Sequence, residues 1–515
     1  MNLDYRNIGK LFSLNTLNVL LSIVYSTLTV YYFGTSEQIE AFFAASVLGT
    51  AISRFVQTGQ LVEIVVPRYH KVKQEIGPQA AMSVIATLCN FMVGIAFLLV
   101  LLFILGRTWV VNLLVPGFAM PTKELVWQIF CWTGFLMPIQ IATNLFQGML
   151  NAENIYGKVE FTNTISLFIT VSILAVWGQD GNVMALVIGL ILSVLAQFAT
   201  TVYYLRQVGY RHSFSFVNPH FPLRDLFQAI VATSSYMGSV QIYTFVFNAA
   251  LSLLPAGTFA IYRYAEVIYG KVANVFMIPV STVFFNEINR FINQDNGQLV
   301  RGFVVKNLNL SYFLGFLILL PFLAGGQYFI WTLWGGSKFN AQDVQRVYGL
   351  LCVFFAITII SGPYMIFRKL AVSVAHPNFL YGAWAVAHLF SCALGYWLMQ
   401  VWGIAGLMMQ VFAHSFLMML IPIYAMYRNK AHYIGLHNPT ETFKVTVAAA
   451  VAALAAWGAG TIWVGFANYG KLSSLLVSGL LASITVLAFV GSSLYLKVQE
   501  LEIVRKKIAQ LLNKA

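Results

Sequence analysis

Fourteen stretches of about twenty mostly apolar residues follow one another along this chain with little between them. A helix needs about 20 such residues to cross the hydrocarbon of a bilayer. The runs predict spans over 11–33, 42–66, 80–105, 125–150, 160–178, 183–206, 226–251, 258–286, 309–333, 346–366, 379–399, 403–427, 442–466 and 473–496. Of 515 residues, 59% are hydrophobic and only 9% charged, whereas soluble proteins carry about 25% charged residues. The connections are too short to hold a soluble catalytic domain. The expected fold is therefore an all-α integral membrane protein of about 14 transmembrane helices.

The basic residues agree with that topology. With fourteen spans both termini lie on one side. That side then holds 22 of the 30 Lys and Arg, the other side holds 5, and Arg54, Arg263 and Lys271 fall inside spans. The rich side is the cytoplasm by the positive-inside rule, so both termini are expected there. The net charge of +13 reads as topology and as contact with anionic headgroups, and no nucleic-acid partner is expected. Cys89, Cys131, Cys352 and Cys392 all fall in apolar runs and read as small buried hydrophobes. From Lys497 to Lys514, Leu501, Val504, Ile508 and Leu511 recur at helical spacing among basic residues, which predicts an amphipathic cytoplasmic helix.

The chain also repeats itself. Gly34 and Gly257 each precede a span that begins polar, 223 residues apart; Gly181-Asn182-Val183 and Gly403-Ile404-Ala405 each open another, 222 apart; Asn151–Asn154 and Val374–Asn378 form a third echo. Three echoes in the same order at nearly the same offset indicate a duplicated unit. Six spans per copy is an even number, so both copies insert the same way round. The expectation is two six-helix lobes related by a pseudo-twofold along the membrane normal, residues 1–222 and 223–430. Residues 431–515 would add two C-terminal helices and the amphipathic tail.

Polar residues inside spans are where function is expected, because a charge at the bilayer centre costs about 2.5–3.5 kcal/mol on insertion scales. At 100° per residue, Ser46, Thr50, Ser53, Arg54, Gln57 and Gln60 share one face of the second span, with Glu40 close by. Arg263, Glu266, Gly270, Asn274 and Ser281 share a face of the eighth, and Lys271 lies nearby. Both are the second span of their lobe, so their wet faces would meet across the pseudo-axis. Arg263 and Glu266 are three apart and can pair. Two readings stay open: a self-neutralised ion pair that holds the helix, or a cationic site for a phosphate-bearing substrate beside a titratable carboxylate. Gln140, Asn144 and Gln147 align on the fourth span, and Gln241, Thr244 and Asn248 on the seventh; interhelical hydrogen bonds explain these as well as a cavity does.

Several short motifs resemble the MviN/MurJ lipid II flippases. Tyr32-Phe33-Gly34, Glu40-Ala41-Phe42-Phe43, Arg54, Gly59 and Val66-Pro67 follow that family's opening pattern. Val115-Pro116-Gly117-Phe118 is similar to its A-P-G-F. Leu254-Pro255-Ala256-Gly257 followed by Tyr264-Ala265-Glu266 resembles L-P-x-G followed by Y-A-D-R-L, and Gly335, Phe339 and Asp343 follow a further stretch. The resemblance implies membership of the multidrug/oligosaccharidyl-lipid/polysaccharide exporter superfamily, with a central cavity that opens alternately to the two membrane faces. It also exposes departures: Tyr25, Ser53 and Val267 stand where the family carries arginines. Arg263 or Lys271 would replace one of these.

The resemblance implies a flippase of the bacterial inner membrane, working as a monomer among membrane lipids. It would move an undecaprenyl-diphosphate-linked saccharide, lipid II or a related oligosaccharide, to the periplasmic leaflet. Arg54, Arg263, Lys271, Gln57 and Asn274 are the expected substrate contacts. Glu40 and Glu266 are the candidates for coupling to a cation or proton, and no cofactor or resident metal is expected. Two rivals are a repeat-unit flippase for exopolysaccharide or O-antigen, and a cation-coupled drug or metabolite antiporter. An enzyme is disfavoured: none of the eight His neighbours an acid at catalytic spacing, and there is no glycine-rich phosphate loop.

Overall fold

The computed structural model describes residues 5–56, 69–153, 155–219, 223–293, 297–374, 377–430, 433–435, 438–463 and 465–501. The regular structure among them is helical, with one isolated bridge between Gly336 and Phe339. The amphipathic helix expected at the C-terminus lies almost wholly outside the described residues. The chain forms two compact units, Met1–Ala260 and Ile261–Ala515.

The first unit holds α1 (Tyr5–Phe33), α2 (Glu37–Phe55), α3 (Pro78–Leu105), α4 (Arg107–Leu114), α5 (Met120–Thr133), α6 (Leu136–Ala152), α7 (Tyr156–Trp177), α8 (Met184–Gln207) and α9 (Leu223–Ser252). α7 packs between α1 and α8, α3 on α6, α2 on α5, and α9 on α2 and α4. The unit thus includes α9 besides the six spans assigned to the first lobe. The apolar run 125–150 is divided between α5 and α6, which meet at a 47° bend. At the break, a Cβ on Gly134 would lie 2.8 Å from the Phe130 carbonyl oxygen.

The end of α6 is tied down by Glu153. Its carboxylate accepts from Tyr69 Oη at 2.5 Å and from Lys73 Nζ at 2.6 Å and 2.7 Å. Burial alone would raise the Glu153 pKa, but these hydrogen bonds and the Lys73 charge outweigh it and hold the carboxyl below its usual range. Burial and the Glu153 carboxylate push the Tyr69 phenol up.

The second unit holds most of α10 (Thr258–Asn293), then α11 (Gly297–Trp334), α12 (Ala341–Val374), α13 (Pro377–Lys430), α14 (Pro439–Gly460) and α15 (Lys471–Tyr495). α11 packs against α12, α14 and α15. Phe313, Leu320, Val445, Ala448, Ala449, Ala452 and Phe489 form the core shared by α11, α14 and α15. Small residues bring the backbones close: a Cβ on Gly325 would lie 2.7 Å from the Ser478 carbonyl oxygen, and Ser478 Oγ donates to the Gly325 carbonyl at 3.0 Å.

α13 is two helices joined at Gly403, whose φ of 57° and ψ of −131° are not helical. The arms fold back on one another. Gly395 packs against Gln410, His388 and His414 stack with ring centroids 5.0 Å apart, and Ser391 Oγ meets His414 Nδ1 at 2.8 Å.

Nine described helices are long and apolar enough to cross a membrane, or ten if the bent pair α5–α6 is one span. The expected fourteen is not reached by that measure. α13 counts once although Gly403 breaks it. The described part of α2 carries Glu40 and Arg54, α9 carries Gln241, Thr244 and Asn248, and α10 carries Arg263, Glu266 and Lys271, which lowers their apolar character. The repeat is visible in the backbone. Gly34 and Gly257 have φ of 54° and 85°, and Gly181 and Gly403 have φ of 68° and 57°. The echoed glycines thus share a left-handed conformation that side chains with a Cβ disfavour. The third echo falls partly outside the described residues.

Two stability predictions follow from these contacts. A Cβ on Gly406 would lie 2.0 Å from the Leu398 carbonyl oxygen, whereas one on Gly382 meets nothing within 4 Å. Gly406→Ala is expected to lower the melting temperature in detergent, by about 1–3 kcal/mol of overpacking, while Gly382→Ala leaves it equal or higher. Equal effects at the two sites would contradict the tight hairpin. Glu153→Gln is expected to destabilise the protein by about 1 kcal/mol near neutral pH, after discounting for partial exposure. A depressed carboxyl pKa contributes stability above the unfolded value and loses it as pH falls through the folded one. The melting-temperature gap between wild type and Glu153→Gln should therefore close below about pH 4.5.

Candidate functional site

The polar stripe of α2 is largely satisfied within its own helix. Ser46 Oγ donates to the Phe42 carbonyl at 2.8 Å and Thr50 Oγ1 to the Ser46 carbonyl at 2.9 Å, as hydroxyls in apolar helices do. Arg54 closes the described part of the stripe. Its side chain is exposed, and Nη1 donates to Thr244 Oγ1 on α9 at 3.3 Å. Thr244 in turn donates to the Val240 carbonyl, and Asn248 Nδ2 donates to the Thr244 carbonyl at 2.6 Å. Gln241, one turn away, is 2% exposed, and neither atom of its amide is hydrogen-bonded among the described residues. Of the aligned Gln241, Thr244 and Asn248, Thr244 is the one that meets Arg54. Gln57 and Gln60 lie outside the described residues.

Glu40 is buried in the first turn of α2. Its carboxylate faces the backbone amides of Gly257, Phe259 and Ala260 and accepts from the Ala260 N–H at 3.2 Å. A carboxylate at a helix N-terminus satisfies orphan N–H groups and meets the positive end of the helix dipole. Glu40 thus caps α10 from 220 residues away. Glu37 is held nearby by Thr122, whose Oγ1 donates to it at 2.6 Å.

On α10, Arg263 and Glu266 form the expected ion pair. The Arg263 side chain is 15% exposed and that of Glu266 48%, and the guanidinium lies over the Tyr262 ring, 5.8 Å from its centroid. Lys271 is exposed further along the helix. The side chain of Asn274 lies outside the described residues. Tyr264 is buried between Trp334 and Phe339, which makes it a wall residue. Arg54 and Glu40 belong to the first unit, Arg263, Glu266 and Lys271 to the second.

One polar network was not foreseen. Asn18 Nδ2 donates to Glu160 Oε2 at 3.2 Å, Thr164 Oγ1 donates to Asn18 Oδ1 at 2.7 Å, and Gln147 and Gln197 both donate to Asn163 Oδ1. It links α1, α6, α7 and α8. Gln147 was visible as part of a stripe, but no sequence pattern singled out Glu160, which opens the apolar run 160–178.

The family model of the lipid II flippase MurJ matches residues 29–480. The chain belongs to the lipid II flippase MurJ family. Among solved structures, one described as lipid II flippase MurJ in an inward closed conformation has a TM-score of 0.77 at 16% identity, covering 95% of this chain and 98% of that one. An inward-facing multidrug resistance MATE transporter of the MOP superfamily has a TM-score of 0.63 at 11% identity, covering 81% and 95%. A MOP superfamily transporter from Pyrococcus furiosus, described by the reverse polarity of its binding pocket, has a TM-score of 0.56 at 11% identity, covering 82% and 95%. At these identities the likeness is one of fold. No curated protein sequence matches the chain significantly. The fold is that of a MurJ-type multi-pass membrane transport protein.

Two of the three departures from the MurJ pattern put an uncharged side chain on α2 and α10. Ser53 Oγ contacts Met137 Sδ at 3.7 Å, and Val267 is 40% exposed.

The Arg263–Glu266 pair gives a direct test. In a cycle of Arg263→Ala, Glu266→Ala and the double variant, a coupling of about 0.2–1 kcal/mol is expected, because Glu266 is half exposed. Additive losses of thermal stability would show that the two side chains do not hold one another.

Proposed function

We propose that this protein moves a polyprenyl-diphosphate-linked saccharide, lipid II or a close relative, from the cytoplasmic to the periplasmic leaflet of a bacterial inner membrane. Membership of the MurJ family over residues 29–480 is the observation that carries this reading. The intramembrane cations support it: a diphosphate needs positive partners, and Arg54 and Lys271 both present exposed charges, while Arg263 shares its charge with Glu266. The polar groups of α2 and α9 would meet the sugar.

Transport would proceed by alternating access. Glu40 and Glu266 are the candidates for coupling. Protonation of Glu40, or a cation bound to it, would weaken its hold on the α10 amides. Each net charge carried across about 100 mV is worth about 2.3 kcal/mol, enough to bias a cycle. The distribution of Lys and Arg supports cytoplasmic termini. The protein acts as a transporter, without a chemical step.

The test is complementation of a bacterium depleted of its own lipid II flippase, scored by growth and by periplasmic exposure of lipid II. Wild type is expected to rescue, and Arg54→Ala to lower lipid II exposure at least about tenfold, the loss of a charged hydrogen-bonding partner. Equal rescue by Arg54→Ala would remove the phosphate role of this residue. Failure of wild type that is present in the membrane would count against lipid II and for another polyprenyl-diphosphate-linked saccharide.

A further inference from the structure

The segment after α8 is more than a basic connection. Gly209, at φ 86°, turns the chain, and the residues beyond it run back along α3 as a strap. Asn90 Nδ2 donates to the carbonyls of Ser213 and Ser215 at 2.8 and 3.0 Å, and Asn90 Oδ1 meets His212 Nε2 at 2.9 Å. Tyr210 Oη meets His212 Nδ1 at 2.9 Å, and Asn218 Nδ2 donates to Ser83 Oγ at 2.9 Å. Asn90 thus uses both ends of its amide to fix the strap. Partial burial lowers the His212 pKa, and the two ring nitrogens join Tyr210 to Asn90.

Between the strap, α3, α6 and α8 lies a cavity of about 840 Å³, within the range of about 300–1,000 Å³ usual for small-molecule sites. Its wall is mostly apolar and aromatic, with Phe146, Phe198 and Phe214, yet it also carries Arg206 and Arg211. Both arginines are exposed, and neither forms an ion pair among the described residues. Beside them the strap exposes Phe214, Phe216 and Val217 by 90%, 57% and 76%. Apolar side chains so exposed beside cations do not suit a surface in water. They suit the headgroup level, where aromatic rings enter the acyl boundary and arginines meet phosphate. The basic side of the topology puts this end of α8 at the cytoplasmic leaflet.

A ligand for this cavity must bring an anionic group to the arginines and an apolar body to the phenylalanines. We infer that it is a seat for an anionic phospholipid of the cytoplasmic leaflet, its phosphate held by Arg206 and Arg211 and its glycerol and acyl portion lying against Phe146 and Phe198. A free phosphate would leave the aromatic wall without a purpose. The seat shares no residue with Arg54, Arg263 or Lys271, and it stands whether or not the saccharide assignment holds.

The test is native mass spectrometry of the full-length protein released from vesicles of phosphatidylcholine with phosphatidylglycerol, and of phosphatidylcholine alone. Wild type is expected to retain phosphatidylglycerol in preference to phosphatidylcholine. Arg206→Gln with Arg211→Gln should reduce that retention about tenfold or more, and Phe198→Trp, which fills the apolar part and keeps both charges, should reduce it too. Inorganic phosphate should not displace the lipid. Equal retention by wild type and the arginine variant, or no preference between the two lipids, would overturn the assignment. Displacement by inorganic phosphate would replace it with a free-anion site. Should the arginine variant fail to fold, unchanged retention by Phe198→Trp is sufficient to refute the seat.

Discussion

Hydrocarbon offers no hydrogen-bond partner, so each polar atom that enters it must bring one along. The arrangement of polar residues here follows from that constraint. The hydroxyls of Ser46 and Thr50 turn back onto their own helix. Arg263 finds Glu266 one turn further on. Glu40, buried at the start of α2, meets the first amides of α10, so one carboxylate and one set of orphan N–H groups satisfy each other. A stripe that reads as a water-facing surface is in large part a set of internal bonds.

The turns obey the same economy of backbone. A helix that ends in or near the membrane must close its last carbonyls without water, and a left-handed residue does so in the shortest space. Gly34 does this for α1, donating its N–H to the Val30 carbonyl at 2.8 Å. Its echo Gly257 precedes α10, and Gly181 and Gly403 stand at the start of later paired spans, all with positive φ. The spacing of these glycines was legible because their requirement is local: no other residue takes that conformation readily.

Local relations were legible in general, and distant ones were not. The Arg263–Glu266 pair follows from a three-residue spacing, and the Gln241, Thr244 and Asn248 face from helical periodicity. The partner of Glu40 lies 220 positions away, and periodicity places a residue on a face without saying what the face meets. The Tyr69–Lys73–Glu153 clamp and the Asn18–Glu160 contact escaped for the same reason. The bend between α5 and α6 escaped for a different one: Gly134 and Phe135 interrupt an apolar run with residues no more polar than their neighbours, so hydropathy sees one span.

The departures from the family pattern bear on the charges that α2 and α10 carry. Where relatives are expected to carry arginine, Ser53 and Val267 contribute no charge, and Arg263 has its charge balanced by Glu266 within one turn. A site that has given up cations must either bind a less charged ligand or concentrate its attraction in fewer residues. Arg54 fits the second case. Its guanidinium is positioned by a neutral hydroxyl, Thr244, which is itself anchored to the Val240 carbonyl. A neutral partner orients a guanidinium without cancelling its field, whereas a carboxylate would orient and cancel together. The buried amide of Gln241, one turn from Thr244 with neither atom bonded among the described residues, adds polar capacity on the same face. A diphosphate bearing a sugar is a ligand that would use both a guanidinium and an amide, and a small hydrophobic drug would use neither.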